Sequence, residues 1–365
     1  MTTILYLLAF VFVLSLVVIV HEGGHFVVAR LCGVKVTEFA LGFGKKLFSK
    51  TDKRGTAWQV RMVPLGGYVK MLGDEDAASA KSSDKDIPEE DKDKTFVSKT
   101  LAQRAAIIFA GPAMNYIFAF VLFVGLFWCV GEVVVKPVVG SVLPDSAAEA
   151  AGIKPQDEIV SINDMKINSF TDIQRTVMLT DYGKELHLQI KRGEEILSIS
   201  LMPKMDEATD RPLIGVTAAG ETIVVNEEVS FGAACQKALL TIYESTRDTL
   251  MYLGQVLSGK RAPKDMRGPL GIAEASGDAL LGGFVSLIAF VAQISVAIGL
   301  MNLLPIPLLD GGHLFLYFFE AIRRKPLTEK MQAALMWAGF GILMIVFAYT
   351  MFLDIPRIIQ RVIGS

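Results

Sequence analysis

His21, Glu22 and His25 form an HEGGH run near the inner end of an apolar stretch. On a helix of about 3.6 residues per turn, His21 and His25 stand one turn apart on the same face. Both imidazoles can then reach one metal ion, with Glu22 beside them as a proton acceptor. The stretch Met1–Val20 carries no charged side chain, and apolar residues resume at Phe26-Val27-Val28-Ala29. A run of roughly 20 such residues is long enough to cross a bilayer as a helix. Ionisable groups at that depth are costly and point to function. The alternative is a pair of helix-facing histidines hydrogen-bonded within a bundle. The chain has only 4 histidines, and half of them fall in this motif, which favours a zinc site inside a membrane.

A catalytic zinc commonly takes three protein ligands and keeps one position open. The candidate region for the third is Asn302–His313 (NLLPIPLLDGGH), where two prolines break a helix and let backbone open around a cavity. Either Asp310 or His313 could complete the set. Asp310 could equally be a helix N-cap ahead of Gly311-Gly312. Residue type alone does not choose.

These groups need apolar elements to hold them. The 365 residues are 52% hydrophobic with mean hydropathy +0.45, which excludes an ordinary soluble enzyme and a disordered chain. A net charge of −2 without a basic, aromatic-laced patch gives no sign of a nucleic-acid partner. Cys32, Cys129 and Cys235 are far apart and lack CxxC spacing, so neither a disulfide framework nor a cysteine zinc site is indicated. The N-terminus has no basic n-region and no small-residue cleavage site, and so reads as a retained transmembrane helix.

Four segments have membrane length: roughly 4–29, 105–130, 284–303 and 333–353. They divide the chain into a first helix with the HExxH motif (1–30), a membrane-associated β region (31–73), an acidic flexible insert (74–98) and a second helix (99–131). A soluble domain (132–222) and an amphipathic linker region (223–283) follow. Then come a third helix (284–310), a loop (311–332), a fourth helix (333–353) and a tail (354–365). Within 39–72 the alternating run Trp58–Val63 follows the turn-like Thr51–Gly55, predicting a β-hairpin or meander. In 132–222, strand-like runs (133–142, 158–163, 186–191, 196–202) alternate with turns and short helices at 146–151 and 171–180. A helix is predicted over 230–257. Basic residues of the short loops (Arg30, Lys35, Lys45, Lys46, Lys50, Lys99, Arg104; Arg323, Arg324, Lys325, Lys330) put the loops between spans one and two and between three and four in the cytoplasm. Both termini and 131–283 then lie on the other side, with Arg357 and Arg361 as a weaker counter-signal.

HEGGH, Gly111-Pro112-Ala113-Met114-Asn115, Pro64-Leu65-Gly66-Gly67-Tyr68-Val69-Lys70, Gly268-Pro269-Leu270-Gly271-Ile272-Ala273 and Asn302…Leu309-Asp310-Gly311 occur in the order seen in site-2 proteases. The chain closely resembles the bacterial regulator-of-sigma-E protease group over nearly all its length except the acidic insert. The resemblance implies a polytopic α-helical membrane protein with four transmembrane helices, a membrane-associated β-hairpin or meander and an inserted PDZ-like α+β domain. It assigns Asp310 as the third zinc ligand, leaves His313 a supporting role, and makes Asn302 a residue that helps hold substrate or stabilise the reaction. Asn115 matches a polar position facing the active site, its alternative being a helix–helix hydrogen bond. The 56–70 strand offers an edge for an extended substrate, with Trp58, Val60, Met62, Gly66 and Gly67 along it. Ser146–Asn163 looks like the PDZ pattern of short helix, turn and strand. The carboxylate-binding loop of that fold would fall at Leu213-Ile214-Gly215-Val216, unless the domain serves only as a steric gate. His187 reads as structural. Two departures stand out: Gly23-Gly24 puts helix-weakening residues inside the motif, and there is space for one PDZ domain where relatives often carry two.

The activity so implied is that of a zinc metalloendopeptidase of the bacterial inner membrane with one Zn2+ per chain and Glu22 as general base. Its substrates would be transmembrane segments of single-span proteins within the bilayer, cut in regulated intramembrane proteolysis, such as an anti-sigma factor or a remnant signal peptide. The alternatives are a non-catalytic PDZ membrane scaffold and a metal transporter, the latter disfavoured because only one intramembrane ligand cluster is present.

Overall fold

The structure is a computed structural model that describes residues 2–73, 87–180, 183–206, 211–219, 223–226, 229–259, 263, 266–325 and 328–363. The chain divides into two compact units, 1–123 with 266–365, and 124–265. Four helices are long and apolar enough to cross a membrane: Ile4–Leu31, Leu101–Cys129, Phe284–Leu303 and Lys330–Pro356. These are the four expected spans.

In the first unit, α1 (Thr2–Leu31) ends where Gly33 takes φ +73° and Val34 N–H reaches back to Ala29 O. Such a left-handed glycine closes a helix without the steric cost a side chain would meet. Two strands follow, β1 (Val36–Thr51) and β2 (Ala57–Met71). The turn between them is wound on Asp52, whose Oδ1 accepts from the Arg54 and Thr56 amides at 2.8 and 3.0 Å. Its Oδ2 takes Arg30 Nη2 at 2.7 Å, so the hairpin is tied to the last turn of α1. The Arg30 guanidinium, with the Thr56 amide, holds the Asp52 carboxyl well below the usual carboxylate range.

The two strands pair in more than one register, because each bends near its middle. Phe39, Ala40 and Leu41 face Val69, Tyr68 and Gly67 on one side and Trp58, Gln59 and Val60 on the other. Phe48, Ser49 and Lys50 cover the far side of Val60, Gln59 and Trp58. The edge expected along 56–70 is therefore corrected in its first part: Trp58 and Val60 lie between two paired neighbours, while 67–70 stays at the rim. Among the described residues the outer ribbon next to α1 is 67–71. The hairpin lies where expected, and the second bend at Gly66 (φ +132°) confines the free edge to the last part of the expected strand.

Residues 74–86 of the acidic insert lie outside the described residues. Its end is structured: a 3-10 turn (Glu89–Lys94) puts Asp91 between Lys35 and Lys94, and Phe96 is buried against the β region. α2 (Leu101–Cys129) follows, with Pro112 inside it.

The second unit carries β3 (Glu132–Val135), β4 (Val139–Val142), α3 (Ala147–Ala150), β5 (Glu158–Ile162), β6 (Met165–Lys166), α4 (Phe170–Leu179), β7 (Leu186–Arg192) and β8 (Glu195–Leu201). After these come β9 (Lys204–Asp206), β10 (Arg211–Leu213), β11 (Val216–Ala218), β12 (Ile223–Asn226) and α5 (Phe231–Leu257). Pro137, which cannot donate to a ladder, splits the long run expected at 133–142 into two strands. The main sheet runs β6-β5-β7-β8, while β4 pairs with β11, β3 with β12 and β9 with β10. Alternate residues of β7 (Leu186, Leu188, Ile190) join Ile159, Ile162, Ile173 and Val177 in one core. The capping box of Ser169 and Asp172 starts α4.

The first unit resumes with α6 (Pro269–Leu281), α7 (Phe284–Leu303), α8 (Asp310–Arg323) and α9 (Glu329–Ile363). Two of these correct the sequence reading. The 223–283 region holds α6 as well as the expected helix, and 311–332 is mostly α8 rather than a loop. Its apolar Leu314, Tyr317 and exposed Phe318 and Ile322 were a helical signal too short to register beside four long spans. α6 is held at both ends. Asp354 of α9, fully buried, accepts from the Gly268 and Gly271 amides at 3.2 and 2.9 Å, while Tyr6 of α1 packs its ring on Gly277 and donates to Asp278. A Cβ on Gly268 or Gly271 would stand 2.7 or 2.9 Å from an Asp354 oxygen, which explains both glycines of the Gly-Pro-Leu-Gly turn.

Candidate metal centre

His21 and His25 present their Nε2 atoms to one another at 3.3 Å, one helical turn apart on α1. Asp310, the first residue of α8, brings Oδ2 to 3.1 Å from His21 Nε2 and 3.4 Å from His25 Nε2. The three atoms form a nearly equilateral triangle. A tetrahedral zinc with bonds of about 2.0–2.1 Å has ligand-to-ligand edges of about 3.3–3.4 Å, so the spacing fits that ion. Asp310 Oδ2 is buried with no hydrogen bond directed at it. A buried carboxylate oxygen without a donor is costly unless a cation takes its lone pair. Among the described residues, His21, His25 and Asp310 are a group of such side chains that could hold a metal. His313, one turn further along α8, is not part of it.

α2 forms the wall behind the histidines. A Cβ on Gly111 would stand 2.3 Å from His25 Nε2 and 2.9 Å from His21 Cε1, so only glycine lets both rings into this space. Gly24 has the matching role on α1, since a Cβ there would meet Ala110 O at 2.2 Å. One half of the Gly23-Gly24 puzzle is thereby explained by close helix packing. Around Gly23 no atom lies within 4 Å of an added Cβ, and nothing in the structure explains it. His25 Nδ1 donates to Ile107 O at 2.8 Å, which fixes that ring.

Asp310 is set by the turn before it. Leu308 adopts φ +83°, a strained conformation for a branched side chain. The turn is closely packed on three sides: a Cβ on Gly311 would strike Leu304 O at 2.2 Å, on Gly312 Ile306 O at 2.5 Å, and on Gly339 of α9 Pro307 O at 2.3 Å. Arg104 of α2 then bonds Glu320 at 2.7 Å and stacks over Tyr317, holding α8 to α2.

Glu22 is half-buried beside the outer ribbon of β2, its Cγ 3.2 Å from where a Cβ on Gly67 would be. Gly67 thus adjoins the motif, while Gly66 packs against the Phe43 ring. Trp58 does not adjoin the motif either: its ring packs on Phe39 (4.7 Å between centroids) and on Phe26 of α1 (5.1 Å), and its indole donates to Asp52. Val60 and Met62 are exposed but belong to the inner part of the sheet and its bend. Asn115 is fully buried, its amide 3.3 Å from His21 Nδ1. Asn302 is half-buried in the last turn of α7, outside the converging group. In the second unit, Ile214 is buried and Gly215 (φ +83°) packs on Ser146, while the loop carbonyls of Ile214 and Gly215 accept from Ala148 and Leu143; Leu213 is exposed and Val216 begins β11. His187 bonds Ser200 on the sheet surface. The positioning glycines Gly24, Gly111 and Gly311 were in plain view in the motifs, but their reason is a distance that no single chain spells out.

The family model of Peptidase family M50 matches residues 9–346. The chain belongs to that family. A protein of Agrobacterium fabrum whose name makes it a zinc metalloprotease is 37% identical over 364 residues, covering 97% of this chain and 96% of its own. Similarly named proteins of Clostridium acetobutylicum and Rickettsia conorii are 36% identical over 345 residues (93% and 94% covered) and 33% over 363 (96% and 99%). This metalloprotease is a zinc enzyme of the site-2 protease family with four apolar helices suited to a multi-pass membrane protein.

Proposed function

We propose that His21, His25 and Asp310 hold the zinc and that Glu22 is the general base in hydrolysis of a peptide bond within or beside a transmembrane segment of a single-span protein. The observation that carries this is the triangle of two Nε2 atoms and one carboxylate oxygen, with edges of 3.1–3.4 Å, whose histidines stand on a helix long and apolar enough to cross a membrane. When bound, zinc supplies Lewis-acid polarisation of the scissile carbonyl and favours deprotonation of water near neutral pH. The Glu22 carboxylate takes a proton from the attacking water and delivers it to the departing amide nitrogen as the C–N bond breaks. Gly67 lets the 67–71 ribbon lie close to Glu22. That ribbon offers backbone groups to an unwound substrate, replacing the helical hydrogen bonds it must lose in lipid.

The basic residues of the short loops support a bacterial inner-membrane protein with both termini and 131–283 outside the cytoplasm. The 132–222 region reads as one PDZ-like domain, with Leu213–Val216 as the loop for a peptide C-terminus or, without a ligand, as a gate. Anti-sigma factors and remnant signal peptides are substrates of the right chemistry for regulated intramembrane proteolysis. The test uses purified wild type and Glu22→Gln with a single-span substrate. Both variants should keep zinc, while cleavage by the glutamine form should fall by about 10²–10⁴-fold. Equal cleavage by the two would remove the reading. Cross-linking should join a substrate cysteine to Tyr68→Cys and not to Phe48→Cys on the opposite edge; the reverse would remove the strand-addition step.

A further inference from the structure

Asn115 is fully buried on α2, and its backbone carbonyl is held by Ser295 Oγ of α7 at 2.9 Å. The close approach of α7 is possible because Gly299 faces it: a Cβ there would stand 3.2 Å from Asn115 Cβ. The amide is thus clamped against His21 Nδ1, with Nδ2 at 3.3 Å and Oδ1 buried without a hydrogen-bond partner. An unpartnered amide oxygen in such a place is expensive.

A neutral imidazole that gives its Nε2 lone pair to a metal carries its proton on Nδ1, and that proton needs an acceptor. For His25 the acceptor is Ile107 O. For His21 the group in reach is the Asn115 amide, and a half-turn of that amide exchanges Nδ2 for the unpartnered Oδ1 at no change in shape. We propose that Asn115 is a positioning residue for the metal centre, its Oδ1 accepting from His21 Nδ1–H and so fixing the tautomer and ring plane that aim Nε2 at Asp310 and His25. That rearrangement gives the amide oxygen and the histidine proton each other as partners and turns the NH2 group into the space Oδ1 had held. The inference rests on the ligand assignment proposed above.

The experiment measures zinc affinity by chelator competition in the purified full-length protein, beside thermal unfolding of the metal-stripped form. Asn115→Leu keeps the branching and heavy-atom number and removes the acceptor, and should weaken zinc binding about 10–100-fold, the usual cost of losing such a partner. Asn115→Asp restores an acceptor and should return affinity to within about threefold of wild type or tighter. The cobalt-loaded Asn115→Leu protein should also show a shifted visible spectrum. Wild-type zinc affinity in Asn115→Leu together with lost cleavage would overturn the proposal and put Asn115 on the substrate. If Asn115→Leu unfolds, failure of Asn115→Asp to bind zinc tightly while folded would overturn it equally. His25→Ala is run in parallel: were it to bind zinc like wild type, the ligand assignment itself would fall, a result distinct from failure at Asn115.

Discussion

Asp157, in the unit 124–265, and Asp310, at the head of α8, are both carboxylates withdrawn from water, at 1% residue and 15% side-chain exposure. Asp157 is fully satisfied. Arg192 grips both its oxygens at 2.8 Å and the Lys154 amide adds a third bond at 2.8 Å. Asp310 Oδ2 has two imidazole nitrogens within 3.4 Å and no directed donor. The first carboxylate is a rivet of the sheet, complete within the chain. The second is incomplete by design of its surroundings, and what completes it is a cation. A group that serves stability closes its hydrogen bonds, as Asp157 does; a group that serves chemistry keeps a lone pair pointing at one place, as Asp310 does.

The largest effect expected from this contrast is at Asp310. Asp310→Ala should abolish tight zinc binding and lower cleavage by roughly a thousandfold or more, in line with the several kcal/mol a metal contributes. The metal-stripped variant should nonetheless melt no lower than stripped wild type, because a poorly satisfied carboxylate has been removed. Arg192→Met should do the opposite. Zinc affinity should be unchanged, while the unit around β5 and β7 loses roughly 3 kcal/mol, the scale for orphaning a buried charge, read by hydrogen exchange in the full-length protein.

Between these lies Gly339→Ala. It would press a methyl into the Pro307 carbonyl, costing about 1–3 kcal/mol of overpacking and disturbing the turn that sets Asp310. Zinc affinity should fall with stability there, whereas Gly183→Ala, with open space around it, should leave zinc affinity alone. The smallest effect is in pH dependence. Burial alone would raise the Asp157 carboxyl, but Arg192 and the Lys154 amide outweigh it and hold it below the ordinary value. Its stabilisation is therefore complete above the unfolded carboxylate pKa of about 4 and is lost as pH falls through the lower folded value. Arg192→Met should flatten that acid limb of the unit's stability curve.

Much of this was legible in the residues. Periodicity and length placed the four spans, the hairpin and the 230–257 helix, because apolar run length and alternation are local properties. HEGGH named two of the converging groups, and the Pro-rich turn narrowed the third to Asp310 or His313, between which only the family resemblance chose. What stayed hidden depended on pairs distant in the chain. That only the 67–70 end of the expected 56–70 edge is free follows from a second bend and double pairing. That Asn115 stands behind His21 follows from the helix contact permitted by Gly24 and Gly111. α6 and α8 were overlooked because each is short and half-apolar, and the anchor of α6, Asp354, lies over 80 residues further along the chain.

The claim that two imidazoles and one carboxylate hold a single zinc is tested most directly by X-ray absorption at the zinc edge of the purified full-length protein. The expected spectrum has two imidazole ligands at about 2.0–2.1 Å, oxygen in the remaining positions and no sulfur, with one imidazole lost in His25→Ala. Sulfur scattering near 2.3 Å, which would implicate Cys32, Cys129 or Cys235, or an unchanged spectrum in His25→Ala, would contradict it.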